Sequence, residues 1–111
     1  MIRKFRKPPT RKEGLLIAKR LKRMLVEAGV KFDAIYLYGS VARDAAHEWS
    51  DIDIAVVCER FDRSKVREAR ALYALFPERD VRMSLVVLHP GEMENKYSTI
   101  ADEIKKDGVE I

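Results

Sequence analysis

Between Thr10 and Gly29 the apolar residues Leu15, Leu16, Ala18, Leu21, Met24, Leu25 and Ala28 recur at the three- and four-residue spacing of one helix face. Thr10 is a capping residue and Glu13, three positions on, completes a capping box, so the pattern predicts a helix over 11–28 that Gly29 stops. The period then changes. Ala34–Tyr38 is a short run of β-formers ending at Gly39, and Ser40 opens a short helical stretch toward Ala46. Asp51 to Cys58 reads as a second strand, with Asp51 and Asp53 alternating with Ile52 and Ile54. Ser64 begins a helix through about Phe76, broken by Pro77. Val81 to Leu88 is a third strand, His89-Pro90-Gly91 a turn, and Thr99 to Lys106 a closing helix stopped by Gly108. The order α-β-α-β-α-β-α, without an internal repeat, predicts an α/β (α+β) fold: a small mixed β-sheet with helices packed on it.

Composition narrows the class. At 111 residues the chain has room for one modest core, so one domain is expected over 13–111 behind a basic arm over 1–12. Its longest apolar runs, such as Ile54 to Cys58 and Leu85 to Leu88, fall far short of the ~20 residues that cross a membrane, and no membrane partner is expected. No secretory segment follows the basic start. Cys58 is the only cysteine, which excludes an internal disulfide and a thiolate metal cluster and points to a reducing cytoplasm. Arg3, Lys4, Arg6, Lys7, Arg11 and Lys12 make the arm basic without an acid among them, leaving 16 basic against 18 acidic groups in the rest. Two readings of the arm stand: it tracks an RNA or an acidic partner by counterion release, or it is a solvated terminus, because Phe5 alone is a poor stacking platform. The absence of glutamine, the single Asn95 and the 36% of charged residues suggest a thermophilic source. Oligomeric state is left open.

The candidate chemistry lies in Leu37 to Val57. Alternation along a strand projects Asp51 and Asp53 from one face, roughly 7 Å apart. Two carboxylates that close repel each other and resist desolvation unless a cation lies between them. Mg²⁺ or Mn²⁺ is the natural occupant, and because Mg²⁺ prefers one or two carboxylates plus phosphate oxygens, the pair implies a phosphorylated ligand. Gly39 lets backbone approach a phosphate, Ser40 offers a hydroxyl and oriented N–H groups, and Arg43 one turn on has a planar fork that reaches the same phosphates. Taken singly, a Gly-Ser pair is usually a turn and a D-x-D pair is more often a strand-edge device than a metal site.

The combination is more specific. "GSVARDAAHEWSDIDIAVV" resembles the signature of the DNA polymerase β-like nucleotidyltransferase superfamily, in particular the small minimal nucleotidyltransferases paired with a HEPN-domain protein in toxin–antitoxin modules. The preceding helix, the strand "VRMSLVVL" and the ending "IADEIKKDGVEI" also look like that family, so the likeness covers nearly the whole chain. The resemblance implies the nucleotidyltransferase fold, Gly39 and Ser40 on the triphosphate of ATP as substrate, and Asp51 and Asp53 as catalytic residues holding Mg²⁺ or Mn²⁺. It also implies a third carboxylate on the next strand, where this chain has Ser84. Serine is a weak ligand and takes no proton at neutral pH, which would impair the acceptor side. Asp80 in another register, Glu48 from the preceding loop, or a partner's carboxylate are the available substitutes.

Two functions follow. One is Mg²⁺-dependent adenylyl transfer from ATP to a hydroxyl of a HEPN partner, since the chain has no room for the extra domain that grips a nucleic acid. The other is a degenerate binding module that neutralises its partner by occlusion. Ser84 favours the second, the intact Gly-Ser and D-x-D the first. His47 and His89 read as loop residues, Trp49 as packing over the short helix, Tyr36 and Tyr38 as lining the sheet face near the helices, and "EARALYALF" as core.

Overall fold

The computed structural model describes residues 7–111. Residues 1–6 of the basic arm lie outside the described residues, and Arg11 and Lys12 already belong to the first helix. Helix α1, Arg11–Glu27, starts at the expected capping box: Glu13 N–H donates to Thr10 Oγ1 at 3.1 Å, and Thr10 N–H donates to Glu13 Oε1 at 3.2 Å. Its inward face carries Gly14, Ala18, Leu21 and Leu25. Strand β1, Ala34–Tyr38, leads directly into the four-residue helix α2, Gly39–Ala42, shorter than the stretch toward Ala46 that the sequence suggests. Asp44 takes a positive φ of 56° just after it, a conformation aspartate tolerates better than most residues, and turns the chain away.

Strand β2, Ile52–Val57, begins one residue later than expected, so Asp51 precedes it. Helix α3, Lys65–Ala74, is capped by Ser64, whose Oγ accepts from Arg67 N–H at 3.3 Å. Strand β3 is Met83–Leu88, not Val81–Leu88. The reason is local: the Asp80 carboxylate accepts from the backbone N–H of Arg82 at 2.9 Å, a turn that delays entry into the ladder. A 3₁₀ turn at Pro90–Glu94 follows, then helix α4, Thr99–Asp107, capped by Ser98, and a two-residue strand β4, Val109–Glu110, too short to leave a periodic signal.

The sheet runs β3-β2-β1-β4, with β2–β3 parallel and the other two pairings antiparallel. Both faces are covered. Ile52, Ile54 and Val56 pack with Ile35, Leu37, Leu85 and Val87 beneath α1 and α3; Ala55, Val57, Tyr38 and Leu88 pack with Ile104 beneath α4. Double burial explains why β2 turns wholly apolar after Asp53. A Cβ on Gly14 would meet Val41 Cγ1 at 2.7 Å, so glycine there lets α1 close onto α2. Among the described residues no helix is long and apolar enough to cross a membrane.

One buried polar network ties the far end of the sheet together. Glu68 on α3, fully buried within "EARALYALF", accepts from Phe61 N–H at 3.0 Å and lies 2.7 Å from His89 Nε2. His89 Nδ1 lies 3.1 Å from Glu92 Oε1, and Glu92 also receives Lys65. His89 is therefore part of the packing and not simply a turn residue. His89→Ala should lower the unfolding free energy by about 3 kcal/mol in urea titration, because Glu68 would stay buried with only Phe61 N–H to satisfy it. Adding Glu68→Leu to that variant should recover part of the loss, since the uncompensated charge is removed as well.

Candidate functional site

The acidic pair lies where β1, α2 and the start of β2 meet. Register places Tyr38 of β1 opposite Asp53 and Ser84 of β3 beside it. Paired residues share a face, so Tyr38, Asp53 and Ser84 form one row across three strands on the side covered by α4. Ser84, where the resemblance implies a third carboxylate, stands beside Asp53 in the parallel pairing.

Gly39 follows Tyr38 with φ +76°, and a Cβ built on it would stand 2.5 Å from Asp53 Oδ2. Backbone and carboxylate approach here as no side-chain-bearing residue permits. Asp51, exposed, stands just before the first ladder bond of this end, from Ile52 N–H to Arg82 O at 2.8 Å. The preceding loop is held by its own turn: Ser50 Oγ accepts from His47 N–H at 2.9 Å, and Trp49 N–H donates to His47 Nδ1 at 3.2 Å. Glu48 of that loop is partly buried and Trp49 is about half exposed.

The electrostatics are unbalanced. Burial first, then the charges of Asp51 and Glu103, push the Asp53 carboxyl up to about 6, while Arg43 pulls it down. Burial and the same Asp53 and Glu103 charges hold the Tyr38 phenol well above its usual range. Arg43 reaches the site but is paired, its Nη1 lying 3.8 Å from Asp107 Oδ2 of α4. Exposed pairs of this kind contribute about 0–1 kcal/mol, so Asp107 holds Arg43 only weakly. Asp80 does not extend the site: its carboxylate is bonded to the Arg82 side chain, which also holds Glu13 of α1. The other register that would bring Asp80 to the pair is not formed: Asp80 precedes the strand, and Ser84 pairs with Asp53.

A hard divalent cation fits this arrangement. The donors are carboxylate oxygens of like charge, one has an elevated pKa that a cation would relieve, and the Gly39 backbone leaves its Oδ2 uncovered on that side. Among the described residues no set of three His, Cys, Asp or Glu is placed to hold a metal ion, so two carboxylates are what this end of the sheet supplies. Sequence reading missed Glu103 and Asp107; it set Tyr38 on the sheet face near the helices, where it lies, without its pairing with Asp53. The acidic residues are four apart on α4, and only the packing of α4 brings them to the sheet. Cys58 is remote in role: burial, then Glu68, pushes its thiol up to about 11, and it remains protonated at neutral pH.

Fold and site together define a nucleotidyltransferase-type domain: a short mixed sheet with a Gly-Ser turn against an aspartate pair. The model of the polymerase beta nucleotidyltransferase family matches residues 19–111, and the chain belongs to that family. A candidate nucleotidyltransferase from Sulfolobus solfataricus superposes with a TM-score of 0.64 at 23% identity, covering 90% of this chain and 80% of its own. A toxin–antitoxin complex with AMP-PNP gives 0.55 at 20% identity over 84% of this chain and 70% of the other. The Shewanella oneidensis complex of a tri-AMPylated HEPN toxin with MNT antitoxin gives 0.50 at 20% identity, over 87% and 70%. At these identities the likeness is one of fold. No curated protein matches the chain in sequence.

Because the folded protein raises the Asp53 pKa from 3.8 to about 6, it binds a proton there that the unfolded chain releases, and its stability falls as pH rises through that interval. In EDTA, Asp53→Asn should therefore be more stable than the parent at pH 7.5, by on the order of 2 kcal/mol after allowing for partial solvent screening. The advantage should vanish near pH 4, as read from thermal midpoints across the pH series.

Proposed function

We propose that the chain is a divalent-metal-dependent nucleotidyltransferase that moves AMP from ATP to a hydroxyl of a HEPN-domain partner, acting as the antitoxin of that pair. The observation that carries this reading is the seating of the Gly39 backbone against Asp53, which joins the turn suited to phosphate and the carboxylates suited to a cation in one place. Family membership supports the reaction class. The partner and the nucleotide are suggested by fold neighbours that are a toxin–antitoxin complex with AMP-PNP and a complex of an AMPylated HEPN toxin with MNT antitoxin.

In this reading Asp51 and Asp53 hold the cation, Gly39 and Ser40 orient the triphosphate, and Arg43 turns from Asp107 to a phosphate oxygen. The bound ion would offset charge on the α-phosphate and the departing pyrophosphate. The acceptor hydroxyl oxygen forms the new bond to the α-phosphorus, the bond to the pyrophosphate oxygen breaks, and the hydroxyl proton passes to water or to a carboxylate of the partner, since Ser84 takes none. Positioning and charge stabilisation supply most of the rate. Ser84 specifically favours a second reading, in which the chain binds nucleotide and occludes its partner without transferring AMP.

ATP with Mg²⁺ at about 100 times its dissociation constant should stabilise the protein by roughly 2.7 kcal/mol, a midpoint rise on the order of 10 °C. EDTA, or Asp51→Asn combined with Asp53→Asn, should abolish the rise; a parent protein without any shift would sink the proposal. With α-labelled ATP and a HEPN partner, the parent should transfer label slowly and Ser84→Asp at least tenfold faster. Transfer by Ser84→Asp alone would select the occluding reading.

A further inference from the structure

Tyr38 is 6% exposed and lies in the row with Asp53 and Ser84. Its ring packs in the cluster that includes Ala55, Val57, Leu88 and Ile104. Its hydroxyl makes no hydrogen bond among the described residues, and it caps nothing at the start of α2. That is unusual, because a buried tyrosine hydroxyl normally finds a partner. Tyr73, by contrast, accepts from Leu85 N–H at 2.6 Å and donates to Met83 O at 3.4 Å. A buried phenol beside the aspartate pair, one residue before the Gly39 turn, lacks an acceptor that the site's own ligand can provide.

We propose that Tyr38 is a nucleotide-binding residue: its hydroxyl donates a hydrogen bond to a phosphate oxygen of the nucleoside triphosphate held by Gly39, Ser40 and the aspartate pair. The inference rests on the function proposed above and adds a contact from the floor of the site. A phosphate oxygen is a charged acceptor, and a hydrogen bond to a charged group is worth enough to change affinity by about tenfold or more. Phenylalanine at this position would fill the same apolar space and lose only the donor.

The test is calorimetric titration of the parent, Tyr38→Phe and Tyr36→Phe with Mn²⁺ alone and with ATP in saturating Mn²⁺. Tyr38→Phe is expected to keep its thermal midpoint without ligand and its Mn²⁺ affinity, and to bind ATP about tenfold more weakly. Tyr36→Phe should match the parent throughout. Equal ATP affinity in Tyr38→Phe and the parent would overturn the inference, as would an equal loss for Mn²⁺ alone, which would place the role of Tyr38 at the carboxylates. Failure of the parent itself to bind ATP would overturn the proposed function and this inference together.

Discussion

The Gly39 backbone and the Asp53 carboxylate occupy adjoining space with no room for a Cβ between them. That close approach couples two segments that are fourteen positions apart in sequence and gives the end of the sheet its character. It demands a positive φ immediately after β1, which only glycine takes without strain, and the chain turns there into α2. It also requires β1 and β2 to pair in the register that sets Tyr38 against Asp53. The double burial of Ile52, Ile54 and Val56 on one face and Ala55 and Val57 on the other makes a one-residue slip prohibitive, because Asp53 would enter the core.

Charge is handled in opposite ways at the two ends of the sheet. At the His89 end, Glu68 is fully buried yet satisfied by the imidazole and a backbone N–H, with Glu92 and Lys65 completing the chain of contacts. That is how a buried carboxylate contributes to structure. At the Gly39 end, Asp53 is crowded by Asp51 and Glu103 and only partly offset by Arg43, which is itself shared with Asp107. A fold that can satisfy one carboxylate so fully keeps another in a state that a cation would relieve. The contrast between the two ends, more than the aspartate pattern alone, supports the Gly39 end as the candidate site.

Ser84 gives this site its particular character. In the parallel pairing it stands beside Asp53, so the row across the sheet reads hydroxyl, carboxylate, hydroxyl. In the proposed reading the central carboxylate and its neighbour Asp51 would hold the cation, whereas deprotonating an acceptor needs a base that neither hydroxyl provides at neutral pH. Asp80 is no substitute, since its carboxylate is taken up by Arg82 at the α1 side.

Much of this was legible along the chain. The caps at Thr10 and Ser64, the helical face of α1, the Gly-Ser turn and the D-x-D alternation are local: each depends on side chains within a few residues, and each is found near its expected place. One departure is local: strand β3 starts late because Asp80 engages the Arg82 backbone. The others are of range: β4 is two residues formed by pairing with β1. His89 looked like a turn residue because its partner Glu68 is 21 positions away, and Glu103 and Asp107 carried no signal because nothing local says where α4 packs. The sequence by itself determined the elements and the residue types of the candidate chemistry, through propensity, capping and alternation. The register that aligns Tyr38, Asp53 and Ser84, and the pressure of Gly39 and α4 on that row, were decided only by tertiary structure, because they arise from burial and charge summed over segments far apart in the chain.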